Sequence, residues 1–198
     1  MENVEKYRPT WSDAETYRIH LKNEKMLKFS KSTVGGQYID LVEEIILKKN
    51  IKSLWDYGCG PEFPLIRGLR EKFPFIYFSG YDPFFEVDDP YKNIHGYISS
   101  SSVDMIVCTD VVEHIREEEL NVCFNFWKIK NPRHIFVATV NTRARAILPD
   151  GTNAHKIVKP MDWWQERLQT KFQNYEFDSK YTKQYSKRSF YMLLNKKT

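Results

Sequence analysis

The segment Ser53-Leu54-Trp55-Asp56-Tyr57-Gly58-Cys59-Gly60-Pro61 limits the folds open to this chain more than any other. An apolar strand runs into an acidic residue, and a Gly-x-Gly turn follows before a helix can begin. Two glycines two apart let the backbone turn sharply and let a ligand approach where a Cβ would collide. At the carboxyl end of the first strand of an open α/β sheet, such a turn forms the floor of a nucleotide pocket. The acidic residue before it can hold hydroxyls, or an amino group, of the same ligand. The expectation is a nucleoside-like cofactor.

The rest of the chain is patterned to match. Residues 36–48 place Tyr38, Val42, Ile45 and Ile46 on one helical face, and Asn50 is a plausible stop. A strand at 52–57 follows, then a helix at 63–72 carrying Leu65, Ile66, Leu69 and Phe73, ended by Pro74. A strand at 76–81 finishes at Gly80-Tyr81-Asp82-Pro83, and residues 84–102 carry only a short strand near Ile94–Ile98. Val103–Thr109 reads as buried on both faces, as parallel strands are. A helix at 115–128 presents Leu120, Cys123, Phe124 and Trp127, and a strand at His134–Val140 comes next. After a polar loop at 141–159, Met161, Trp164, Leu168 and Phe172 mark a helix, and two strand-like runs close the chain at Tyr175–Lys180 and Ser189–Leu194. Strands alternating with helices give an α/β, Rossmann-like, doubly wound and mostly parallel sheet of seven strands with an antiparallel final strand. Residues 1–35 read as an N-terminal extension with a helix at 12–28, and residues 36–198 as a single domain.

Composition narrows the class. With 198 residues, 41% apolar and 28% charged, the chain suits one globular domain with a full core. Its net charge of +4 is mild, but Lys180, Lys183, Lys187, Arg188, Lys196 and Lys197 cluster near the end. A polyanionic partner and a plain solvated face both fit that cluster. Cys59, Cys108 and Cys123 lack paired spacing, which argues against a disulfide framework and a zinc site; no metal is expected. No run approaches the ~18 apolar residues of a membrane span, and Glu2, Glu5 and Asp13 do not suit a signal peptide. The expected location is cytoplasmic.

Three further segments carry chemistry. A dinucleotide fingerprint needs a third glycine at position 63, where this chain has Phe63. Asp82 stands 24 residues after Gly58, at the end of the next strand, where a carboxylate can accept two hydrogen bonds from a ribose diol. Taken alone it could equally start a turn ahead of Pro83. Asp110-Val111-Val112-Glu113-His114-Ile115 follows a buried strand, and His114 can accept a proton near neutral pH. Asp110 and Glu113 have a helix-capping alternative. His155, in the loop Leu148–Lys156, can orient or deprotonate an acceptor, against a surface histidine beside the Asp150-Gly151 turn. Trp164 is expected in the core, and Trp163 at either the substrate mouth or a packed helix face. Cys59 and Cys108, in a turn and a buried strand, are poor attacking thiolates.

Together these segments resemble the class I S-adenosylmethionine-dependent methyltransferases. Leu54–Gly60 matches their Asp-x-Gly-x-Gly-x-Gly motif, Tyr81-Asp82-Pro83 the acidic end of their second strand, and Asp110–Ile115 the segment after their fourth strand. The resemblance covers residues 36–195. It implies S-adenosyl-L-methionine as cofactor, with Asp56, Gly58, Cys59 and Gly60 around the methionine part and Asp82 and Pro83 at the ribose. Thr109 and Asp110 would close the pocket, and His114 and His155 are the catalytic candidates. The sequence departs from the pattern at Pro61-Glu62, where the third glycine is missing. The loop Gly151-x-Asn153-x-His155, followed by Trp163-Trp164, is similar to a segment of small methyltransferase-like proteins of bacteriophages. The expected activity is methyl transfer to an acceptor, a small molecule being favoured over nucleic acid because little chain remains for target recognition. Two alternatives stay open: a cofactor-binding subunit without catalysis, and an enzyme that cleaves S-adenosylmethionine itself.

Overall fold

The computed structural model describes residues 36–60, 63–82, 102–144 and 147–198. The expected helix at 12–28, the short strand near 94–98 and Pro83 lie outside the described residues.

Helix α1 (Ile39–Lys49) buries Val42, Ile45 and Ile46 on one face. It stops where expected: Asn50 takes a left-handed φ of 52°, and its amide donates to the Ile46 carbonyl. Asn tolerates that conformation better than other residues with a Cβ, so the cap is cheap. Strand β1 (Ser53–Tyr57) leads into the glycine turn, and α2 (Pro64–Arg70) begins with Pro64, whose fixed φ suits a first helical position. Strand β2 (Tyr77–Tyr81) pairs with β1 in parallel.

Strand β3 (Met105–Thr109) is buried along its whole length, and β4 (His134–Val140) pairs with it in parallel. Between them, the helix expected at 115–128 forms only as α3 (Leu120–Ile129). Residues ahead of it make two 3₁₀ turns instead, at Val112–His114 and Glu117–Glu119. Helix α4 (Met161–Lys171) follows, and Trp164 is fully buried as expected. The run at 175–180 yields a shorter strand, β5 (Tyr175–Phe177), because Asp178 accepts from the Lys180 amide and caps a 3₁₀ turn at Ser179–Tyr181. Strands β6 (Lys183–Gln184) and β7 (Ser189–Lys196) close the described chain.

The sheet runs β2-β1-β3-β4-β7-β5, with β6 also on β7. All strands point one way except β7, which is antiparallel to β4, β5 and β6. Side chains alternate between the two faces with the period of two that the pleat imposes. Trp55, Ile106, Cys108, Val137, Phe190 and Met192 face α3 and α4. Leu54, Met105, Val107, Phe136 and Leu193 face α1 and α2. From β1 the chain steps to β2 on one side, whereas β3 lies on the other side. Strand order therefore reverses at β1, and open α/β sheets bind ligands in the crevice at that reversal.

Candidate active site

Three segments leave the carboxyl edge of the sheet around that crevice. After β1, Gly58 and Gly60 adopt φ of 85° and 65°, which side chains with a Cβ rarely take. The turn is tied to the end of β2: the Gly58 and Cys59 amides donate to the Tyr81 carbonyl at 2.6 and 3.2 Å. The Gly60 amide donates to Asp82 Oδ2 at 2.9 Å. The two glycines do different work. A Cβ on Gly58 would lie 2.1 Å from Val111 Cγ2, whereas one on Gly60 would meet nothing within 4 Å among the described residues. Gly58 is thus a packing requirement, and Gly60 faces the space a ligand would use.

Asp82 is the residue that sequence spacing placed at a ribose, and it sits at the rim of that space with its carboxylate fixed by the turn. Asp56 is buried at the end of β1. Burial and the nearby Asp82 charge push its carboxyl up to about 8. The Asp82 charge makes the turn acidic, and Asp56 would give up its proton beside a cation; both favour a ligand carrying positive charge over a pyrophosphate. Buried surroundings raise the Cys59 thiol well above its ordinary value, so it is no thiolate.

The third segment follows β3. Thr109 is buried, and Asp110 takes a left-handed φ of 54° while its amide donates to the Ala138 carbonyl. Gln37, just before α1, donates to Asp110 Oδ2 at 3.1 Å. Burial raises the Asp110 carboxyl to about 6. Asp110 caps no helix in this arrangement, nor does Glu113. Glu113 is buried and accepts from Thr139 Oγ1 on β4 at 2.8 Å.

The loop after β4 folds back onto this segment. Amides of Lys156 and Ile157 donate to the Glu113 carbonyl at 2.7 and 3.0 Å. Asn153 pins the loop: its side chain bridges both backbone groups of Ala144 and accepts from the His155 amide. His155 is consequently no isolated surface residue. Its ring lies edge-on to that of His114 at 4.8 Å, with Glu113 alongside. Burial and the neighbouring ring hold His114 down to about 3, and burial also lowers His155. Both rings are neutral at physiological pH. Trp163, by contrast, packs between Lys159 and Arg167 beside Trp164.

Sequence reading brought Asp56, Gly58, Gly60, Asp82, Asp110, His114 and His155 to one edge, and the structure gathers them there. It favoured capping over a place facing the reacting atoms for Glu113, and it missed Thr139, a strand residue whose hydroxyl meets Glu113. Alternation along β4 was the available signal: a polar residue at a buried strand position wants a buried partner. A groove of about 580 Å³ lined by Ile46, Leu47, Phe73 and Phe75 lies at the opposite, amino edge and has no part in the site.

These carboxyl groups set the pH response. Between about pH 7.5 and about pH 8.5 the histidines, ordinarily at 6.5 and lowered in the fold, are almost wholly neutral folded and unfolded, so they contribute little slope. Asp56 keeps its proton up to about 8 when folded and loses it near 3.8 when unfolded. The folded chain then binds more protons, and its stability falls as pH rises through that window, by up to about 1.4 kcal/mol per pH unit for one group. Glu113, also shifted up by burial, acts in the same direction. Urea unfolding across this window should show the decline, and Asp56→Asn should flatten it. A wild-type stability that rises toward pH 8 would contradict the burial of these groups.

No protein-family model and no curated protein matches the sequence. Among solved structures, a 1,6-didemethyltoxoflavin-N1-methyltransferase of Burkholderia thailandensis with bound S-adenosylhomocysteine is similar, with a TM-score of 0.66 at 6% identity, covering 100% of this chain and 92% of that one. A magnesium protoporphyrin IX methyltransferase of Synechocystis PCC 6803 with bound S-adenosylmethionine gives a TM-score of 0.62 at 12% identity, over 93% of this chain and 97% of that one. The small RNA methyltransferase HEN1 gives 0.56 at 13% identity, over 82% of this chain but 25% of that one. At such identities the likeness establishes the fold, a Rossmann-like methyltransferase fold. The acceptors in these names differ widely, so the fold does not choose among them.

Proposed function

We propose that this protein is an S-adenosylmethionine-dependent methyltransferase. The observation that carries the reading is the Gly60 to Asp82 hydrogen bond beside an open Gly60 face, at the point where strand order reverses. Asp82 would hold the ribose hydroxyls, the Gly58–Gly60 backbone would line the methionine part, and Asp56 would meet its ammonium group. S-adenosylmethionine brings an electrophilic methyl group. What remains for the protein is to align the acceptor and exclude wrong approaches, since orientation supplies much of the rate. His155 is the imidazole placed to take the proton that a hydroxyl or amine acceptor releases, since burial holds His114 too low to act as a base near neutral pH. The acidic turn supports this cofactor over a dinucleotide.

The favoured acceptor is a nucleic acid strand rather than the small molecule expected from chain length. Arg143, Lys187 and Arg188 are exposed at the same edge as the histidines. Arg188 accepts from the Asn141 amide, one residue before Thr142, whose carbonyl bonds His155. Exposed Tyr185 beside them offers a face on which a base can stack. Labelled methyl transfer to short single-stranded RNA should exceed transfer to small hydroxyl compounds. Changing Lys187 and Arg188 together to Glu should weaken RNA binding about tenfold at low salt and reduce its salt dependence. Transfer confined to small compounds, and unaffected by the charge reversal, would return the acceptor to the small-molecule class.

A further inference from the structure

Glu113, His114 and His155 each bring one donor atom into a cluster in which these atoms all lie within 4.8 Å of one another. The three come from two separate segments, yet the geometry is fixed from both sides. The Glu113 carbonyl accepts from the Lys156 and Ile157 amides, and Asn153 holds the His155 amide. Hydrogen bonds also decide which ring nitrogens face the cluster. His114 Nδ1 lies 2.9 Å from the Ala154 carbonyl, and His155 Nδ1 lies 2.5 Å from the Thr142 carbonyl. A carbonyl only accepts, so both Nδ1 atoms carry the proton and both lone pairs sit on Nε2. A ring that donates one N–H to a backbone carbonyl and offers the other nitrogen is the arrangement of metal-ligating histidines.

Glu113 supplies an independent sign. It is 1% exposed; Oε2 accepts from Thr139, while Oε1 is buried with no hydrogen-bond partner among the described residues. Leaving such an atom unsatisfied is costly, and native structures rarely do so without a reason. Capping was the bland explanation for Glu113, and neither 3₁₀ turn here has a side-chain capping bond.

We propose that Glu113, His114 and His155 form a binding site for a divalent transition-metal cation beside the methyl-transfer pocket. Two imidazoles and one carboxylate suit manganese, iron, cobalt or zinc better than calcium. Three protein donors leave coordination positions open, as catalytic sites do and closed structural sites do not. An acceptor hydroxyl could occupy one of them, and the cation would then lower its pKa and fix its direction, in place of proton abstraction by His155. That role rests on the methyltransferase reading; cation binding itself does not. Asp110, three residues before Glu113, adds negative charge nearby, while Lys156 opposes it from the loop.

The test is a titration of chelator-treated full-length protein with cobalt(II), read by its visible absorption and by calorimetry. One cation should bind per chain. His155→Ala, at a partly exposed loop position, should weaken binding about 100-fold with an unchanged circular dichroism spectrum. Glu113→Gln should do the same, and any loss of its fold is separable because His155→Ala tests the site alone. Absent cobalt binding, or equal binding by His155→Ala, would overturn the proposal. S-adenosylhomocysteine binding is measured on the same samples. Cobalt binding without it would remove the cofactor reading and leave the cation site standing, and the converse outcome would do the reverse.

Discussion

Gly58→Ala should destabilise the protein by about 2–5 kcal/mol, the combined cost of a strained left-handed residue and an overpacked core. The added methyl would stand 2.1 Å from Val111 Cγ2, and Val111 is a stiff β-branched residue with little room to turn. Val111 belongs to the segment after β3, so the clash forces apart the two sides of the crevice. Gly60→Ala is the matched control. Its methyl meets nothing within 4 Å among the described residues, which leaves the backbone strain of a φ near 65°, about 1 kcal/mol. That variant should fold nearly as well as the wild type and lose cofactor affinity, because its Cβ enters the ligand's space. Urea unfolding of the two variants checks the stability half, and calorimetry the affinity half. Equal destabilisation by both would mean that Gly58 and Val111 do not pack as described.

Asp82→Ala should cost about 100-fold in affinity for S-adenosylhomocysteine, roughly the loss of two hydrogen bonds to a charged acceptor. The carboxylate has two duties. It would hold the ribose hydroxyls, and it fixes the Gly60 amide, which sets the shape of the turn. Asp82→Asn keeps one carbonyl acceptor in place and should lose less, about tenfold. Removing the charge also relieves Asp56, whose carboxyl is raised partly by Asp82. The pH dependence of stability in Asp82→Ala should therefore shift to lower pH. Unchanged affinity in both variants would remove the ribose role and leave Asp82 as a turn residue.

Much of this was legible in the sequence because the signals were local. The step from β1 into Gly58-x-Gly60 needs only a run of apolar residues and two residues without Cβ atoms. Asn50 and Pro64 mark helix ends by their own backbone preferences, and the structure ends and starts helices there. The first turn of the helix expected at 115–128 failed for a long-range reason that patterning hides. Val112–His114 and Glu117–Glu119 wind as tight turns, because Glu113 and His114 are drawn toward Thr139 and Ala154, far away in sequence. Contacts of that kind also explain the histidine pair. His114 and His155 are 41 residues apart, and only the docking of the loop onto the Glu113 carbonyl brings them together. Cysteine spacing pointed away from a metal because it is blind to ligands drawn from a carboxylate and two imidazoles.

The central claim is that the turn after β1 and Asp82 form a cofactor pocket for S-adenosylmethionine. Calorimetric titration of the full-length wild-type protein with S-adenosylhomocysteine tests it most directly. The account predicts saturable binding of one ligand per chain with a micromolar dissociation constant, weakened in Gly60→Ala and in Asp82→Ala. No heat of binding from a protein whose fold is intact by circular dichroism would contradict it.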